Sequence, residues 1–148
     1  MTNVAWEMTY SVETDASPAF AWNYWTNIAN WADPPAEFEL DGPFAVGSRG
    51  VTRLPGREPL RWLIREITPP KAATIERQLE GAALSFEWRF DGLADGRRRL
   101  TQRVMLQGEN AGTSLSQVES SFTSSLPDGM NKIATAMADS EASRKNAG

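Results

Sequence analysis

The chain contains no cysteine and no histidine in 148 residues. Without cysteine it has neither a disulfide framework nor a thiolate nucleophile. Without histidine, Ser-His-Asp catalysis, histidine-ligated zinc or iron and imidazole proton shuttling are all excluded. An oxygen-only site for calcium or magnesium stays open in principle, yet no run of Asp, Asn and Gly of the calcium-loop kind is present. No metal and no cofactor are expected. Lysine is also scarce, limited to Lys71, Lys132 and Lys145, so arginine supplies most of the 15 basic residues and forms one cluster, Arg97-Arg98-Arg99. Against 19 acidic residues these leave a net charge of −4, which disfavours nucleic acid and anionic membranes as partners. No apolar run reaches membrane-spanning length, and Met1 to Tyr10 lacks the basic start and apolar stretch of a signal peptide. No membrane insertion and a cytoplasmic location are expected.

What the chain does have is a globular composition, 41% hydrophobic and 23% charged, in a length suited to one domain over residues 1–148. Val4, Trp6, Met8, Tyr10 and Val12 alternate with polar residues, the pattern of a half-buried strand. Ser17 then offers a helix cap and Pro18 a first helical position. A helix through Trp22 and Trp25 follows, and a second short one through Ile28 and Trp31 ends at Asp33-Pro34-Pro35.

From there to about Gly108 the signals are strands and turns. Phe38 and Leu40 alternate with acidic residues, Gly42-Pro43 turns, and a strand runs from Gly47 to Leu54. Pro55-Gly56 leads into Leu60 to Ile67, stopped by Pro69-Pro70. Ala73 to Glu80 alternates, Glu80-Gly81-Ala82 reads as a tight turn, and Leu84, Phe86, Trp88 and Phe90 form another alternating strand. Asp95-Gly96 is a hairpin signal, and Leu100 to Gln107 returns the chain. Beyond a Ser/Thr/Gly-rich stretch, Met130, Ile133, Ala134 and Met137 share one helical face, with Pro127 beginning or kinking that helix.

The order strand, two short helices, six strands, long helix describes an α+β fold. A curved seven-stranded antiparallel sheet has one apolar face, and the C-terminal helix is the element long enough to cover it. A strongly twisted sheet wrapped round a single helix leaves volume that side chains do not fill, so an internal cavity is expected.

Several motifs resemble the START-related SRPBCC superfamily of polyketide cyclases/dehydrases and lipid-transport proteins. They are Ser17-Pro18 with Trp22, then Trp25-Thr26-Asn27-Ile28-Ala29-Asn30-Trp31; Gly42-Pro43-Phe44 with Gly47-Ser48-Arg49-Gly50; Glu66-Ile67-Thr68-Pro69-Pro70; and Asp95-Gly96-Arg97-Arg98-Arg99-Leu100-Thr101. Arg98 stands where the family pattern has Thr. The likeness spans nearly the whole chain, but its motifs are structural. It implies a helix-grip fold with an apolar cavity, in a family of aromatases, cyclases and lipid or hormone binders.

By parity Trp6, Tyr10, Phe38, Trp62, Phe86, Trp88 and Phe90 share the inward face, either as ligand walls or simply as core. Arg77 falls in the same register as Ile75 and Leu79, Gln102 with Leu100 and Val104, and Glu66 with Trp62 and Ile64. A charge placed inside needs a partner or a ligand. Arg77, Gln102 and Tyr10 are candidates for orienting a ligand carboxylate or carbonyl; alternatively Arg77 pairs with Glu66, or a bulge flips the register. The candidate ligand-binding set is Tyr10, Trp62, Arg77, Phe86, Trp88, Gln102, Met130, Ile133 and Met137.

Arg49, Arg53, Arg57, Arg61 and Arg65 read as a solvated outer face, with Glu76 and Glu80 opposite Arg61 and Arg65. The expected function is binding of a small hydrophobic or amphipathic molecule. A polyketide cyclase or dehydratase without metal or histidine, and a protein-interaction module with a filled cavity, are the alternatives. Charged outward positions favour a monomer, while edge strands permit a weak dimer.

Overall fold

The computed structural model describes residues 4–31, 36–69, 71–79, 81–93 and 98–147. Strand β1 (Val4–Thr14) is followed by helix α1 (Pro18–Trp25) and a single 3-10 turn (Ile28–Trp31). Six strands come next: β2 (Glu37–Asp41), β3 (Arg49–Arg53), β4 (Leu60–Thr68), β5 (Ala72–Leu79), β6 (Ala82–Gly92) and β7 (Arg98–Gln107). Helix α2 (Ala111–Ala147) ends the chain. All seven strands form one antiparallel sheet in the order β1-β7-β6-β5-β4-β3-β2, so β1 and β2 are its edges. This is the expected element order. The Asp33-Pro34-Pro35 stop, the Asp95-Gly96 hairpin and Glu80 lie outside the described residues.

The register lines up side chains in rows across the concave face. Trp6, Leu106, Leu84 and Arg77 form the first; Met8, Val104, Phe86, Ile75 and Ile64 the second; Tyr10, Gln102, Trp88, Ala73 and Ile67 the third; Val12, Leu100 and Phe90 the fourth. Strand alternation sends the intervening residues to the convex face, where Arg103 makes two hydrogen bonds of 2.9 Å to the Glu7 carboxylate. Those bonds hold the Glu7 carboxyl below its usual range. The arginines of the outward stripe are exposed. Arg53 reaches Glu39, and Arg65 reaches Glu76 at 3.3 Å, although it is Leu63 that stands directly opposite Glu76.

One position breaks the alternation. On β4, Ile64 faces Ile75 and Glu66 faces Thr74, which leaves Arg65 as an extra residue. The bulge returns Ile67 to the concave side and turns Glu66 outward, where it is exposed. The expectation that Glu66 shares a face with Trp62 and Ile64 is therefore corrected: simple parity does not survive an inserted residue.

The chain enters α1 as its residues dictate. Ser17 caps it by accepting a 3.2 Å hydrogen bond from the Phe20 amide, and Pro18 occupies the first turn. Trp22 and Trp25 point from α1 onto Phe90 of β6. Helix α2 begins at Ala111, sixteen residues before Pro127, which sits inside it. Its start is fixed by the tight turn before it. Gly108 adopts φ +121°, and a Cβ there would lie 2.8 Å from Ala82 Cα, while the Asn110 amide donates to the Gly81 carbonyl at 2.9 Å. The helix then packs chiefly on β1 and β7. Leu115, Val118, Phe122, Leu126, Met130, Ala134 and Met137 recur every three or four residues along its buried face.

Candidate functional site

The interior lies between the concave face and α2, and its two ends differ. At the end under α1, Trp25 is 2% exposed and meets Phe44 at 5.1 Å, Trp88 at 5.1 Å and Phe90 at 5.5 Å between ring centroids. Trp22 adds an edge-on contact to Phe90 at 5.7 Å. This end is packed aromatic core. At the other end Trp6 and Phe86 are only half-buried, and both lean on Phe122 of α2, at 6.4 and 5.6 Å.

The candidate residues distribute over these two ends. Tyr10, Gln102 and Trp88 stand side by side in the third row. Phe86 is one row nearer the open end, and Arg77 one row further. Trp62 is buried on β4, where its indole lies over Gly50 of β3 and its Nε1–H donates to Thr52 Oγ1 at 3.1 Å. Met130 and Met137 are sealed in the core at 1% and 0% exposure, whereas Ile133 beside them is half-buried. The structure thus brings Tyr10 and Gln102 together and sets Arg77 apart from both.

Among the described residues the register places two charged side chains on the concave face, Arg77 and Arg98. Arg98 stands between Thr14 and Gly92 at the α1 end and donates to the Asp15 carbonyl, which leaves Arg77 as the one without a partner. Arg77 is half-buried, and burial pulls its pKa below the usual arginine value. No hydrogen bond or ion pair reaches its guanidinium from the described residues, and Glu66, a candidate partner, is on the opposite face. Gln102 is 92% buried and its amide has no hydrogen-bond partner among the described residues either, yet none of their buried side-chain nitrogens or oxygens is sealed away without a partner. The Gln102 amide is therefore not completely sealed.

Sequence reasoning missed Leu115, Val118 and Phe122, which cover the open end. Their spacing with Leu126 is helical and was available, but Ser, Thr and Gly between them favour turns and loops, and Pro127 reads as a helix start. Two surface hollows lie elsewhere. One, of about 480 Å³, separates α1 from the last turns of α2 and is lined by Asn23, Asn27 and Asp139 among others. The second, of about 590 Å³, is on the convex face around Glu76, Gln78, Ser85 and Met105. Among the described residues no group of three or more Asp, Glu, His or Cys is arranged to hold a metal ion, and no helix is long and apolar enough to cross a membrane.

No protein-family model matches this chain, and no curated protein does. Solved structures do match. Norcoclaurine synthase from Thalictrum flavum superposes with a TM-score of 0.69 at 12% identity, over 90% of this chain and 91% of that one. The di-domain ARO/CYC StfQ of the steffimycin biosynthetic pathway gives 0.70 at 12% identity, over 93% of this chain and 52% of that one. A protein from Arthrobacter aurescens gives 0.67 at 17% identity, over 93% and 91%. At such identities the likeness establishes the fold alone, a helix-grip fold.

Proposed function

We propose that this helix-grip protein binds a small hydrophobic or amphipathic molecule between the concave sheet face and α2, in a cytoplasmic setting and as a monomer or weak dimer. The observation that carries the reading is Gln102. A buried amide with no partner among the described residues, facing inward among Tyr10, Trp88 and Phe86, is the kind of sparse polar group that orients a ligand in an apolar pocket. The half-buried state of Trp6, Tyr10, Phe86, Trp88 and Ile133 supports it, because a filled core would bury them as it buries Trp25. Trp62 and Trp88 supply indole walls; Met130 and Met137 back the helix side.

The test is tryptophan emission titrated with fatty acids, fatty alcohols, sterols, flavonoids and polyketides, alongside native mass spectrometry of the purified protein. A saturable shift or quench with one class, lost in Phe86→Ala, is the expected result. A flat response across the panel, with no co-purified small molecule, would overturn the reading in favour of an interaction module with a filled interior.

A second reading, a cyclase or dehydratase acting on a polyketide-like substrate, draws on Tyr10. Its hydroxyl has no partner among the described residues and stands next to Gln102, so an O–H donor faces the same interior. The two solved enzymes of this fold, norcoclaurine synthase and StfQ, favour keeping it. Turnover of a reactive polyketone that disappears in Tyr10→Phe while binding persists would replace binding alone by catalysis.

A further inference from the structure

The polar groups of the interior do not form one cluster. Gln102 and Tyr10 occupy the third row on β7 and β1, while Arg77 is on β5 in the first row. Two strand spacings and four residues of strand rise separate the Arg77 and Gln102 backbones by about 16 Å. A neutral polar pole and a cationic pole therefore flank an apolar stretch made by Phe86, Ile75 and Val104 on the sheet and Phe122 on α2.

Arg77 has no evident structural task. It faces Leu84, which is 1% exposed, across the β5–β6 pairing, and no carboxylate or hydrogen-bond acceptor of the described residues meets its guanidinium. A cation half withdrawn from water against apolar neighbours is destabilising to the extent of its burial unless an anion compensates it. The convex-face arginines show the alternative, since Arg53, Arg65 and Arg103 each reach a carboxylate. Nothing among the described residues does the same for Arg77.

We propose that the interior takes a molecule with one carboxylate end, held by the Arg77 guanidinium at the open end, and an apolar body that runs past the touching Phe86 and Phe122 rings towards Gln102. The proposal rests on the interior-binding reading and specifies its ligand class. The planar guanidinium matches a carboxylate with two parallel hydrogen bonds. One fixed positive charge balances one negative charge, whereas a phosphate dianion would leave a net charge in a poorly hydrated place. The same geometry predicts that the ligand end at Gln102 and Tyr10 is neutral, because no cation of the described residues shares their row, and Arg98, two rows beyond, is held by the Asp15 carbonyl.

The experiment compares dodecanoate, dodecanol and dodecyl phosphate near neutral pH, by tryptophan emission, in the wild-type protein, Arg77→Met and Arg77→Lys. Wild type should bind dodecanoate about tenfold or more tighter than dodecanol, and tighter than the phosphate. Arg77→Met should erase that preference while leaving dodecanol affinity within about threefold, and Arg77→Lys should keep part of it. Arg77→Met should also melt no lower than wild type, a readout that a purely structural arginine would move downward. Equal affinity for acid and alcohol in wild type, a preference that survives Arg77→Met, or tighter binding of the phosphate each overturns the carboxylate assignment and leaves interior binding standing. No binding of any of the three removes the interior-binding reading for such chains, and this inference with it.

Discussion

The two ends of the concave face are built from the same kinds of residue and packed to different degrees. Under α1, Trp22, Trp25 and Phe90 are nearly sealed, and the C-terminal half of α2 is pinned beside them. Thr14 Oγ1 donates to the Ala134 carbonyl at 3.0 Å, and the Glu141 carboxylate accepts from the Ser17 amide at 3.0 Å and the Ser17 hydroxyl at 2.8 Å. At the far end Trp6, Phe86 and Phe122 touch but stay half-buried. There the helix is rich in Ser and Thr, and the Ser120, Thr123 and Ser125 hydroxyls turn back onto carbonyls four residues earlier. Pro127 further removes the amide that the Thr123 carbonyl would accept from. Aromatic content alone thus does not mark a pocket. The difference lies in the second layer: α1 and an anchored helix over one end, a weaker helical half over the other.

The sharpest way to break this comparison is to truncate one aromatic at each end. Trp25→Ala removes a ring packed on four others and should cost about 3–5 kcal/mol of stability. Phe86→Ala removes a ring that still touches open space and should cost about 1–2 kcal/mol. Equilibrium urea unfolding with a common slope reads both. Equal losses would mean that the interior is packed uniformly and has no open end.

The fold was legible because its signals were local and agreed. Alternation along β1, β5, β6 and β7 gave strands and faces, Ser17-Pro18 gave the start of α1, and the element order then left α2 as the one cover for the sheet. The concave position of Arg77 was legible for the same reason, since β5 and β6 pair without a slip from Ala72 to Leu79. Glu66 was not, because a bulge one residue earlier leaves no trace in the pattern of Leu60 to Ile67. The first half of α2 was hidden by its own composition, since tertiary packing of Val118 and Phe122 overrides the poor helix propensity of their neighbours. That Tyr10 and Gln102 belong together while Arg77 stands apart is a matter of register between strands, which parity within one strand does not contain.

A smaller effect sharpens the comparison along the β3–β4 border. Gly50 leaves room for the Trp62 indole, whose nearest carbons would lie 2.2 Å from an added Cβ. Gly50→Ala therefore forces Trp62 to shift and breaks its bond to Thr52, an overpacking cost of about 1–3 kcal/mol. Emission from Trp62 should change with it, in the absence of any ligand. An unaltered spectrum together with unaltered stability would show that the indole has other places to lie, and that Trp62 is not a fixed wall.

The smallest effect separates the two halves of α2 directly. Glu141→Gln keeps the size of the side chain and removes the charge facing the first turn of α1, where Ser17 Oγ in turn accepts from the Phe20 amide. A charged acceptor at a helix N-terminus is stabilising, so the loss should be about 1 kcal/mol. Because the contact ties α1 to the end of α2, hydrogen exchange should quicken for amides of residues 130–141. Amides of residues 113–126 should exchange faster than these in wild type and change little in the variant, because their half of the helix never depended on that anchor. A variant in which both halves loosen together would mean that α2 opens as one unit across Pro127, and the contrast between a fixed end and a loose one would have to be given up.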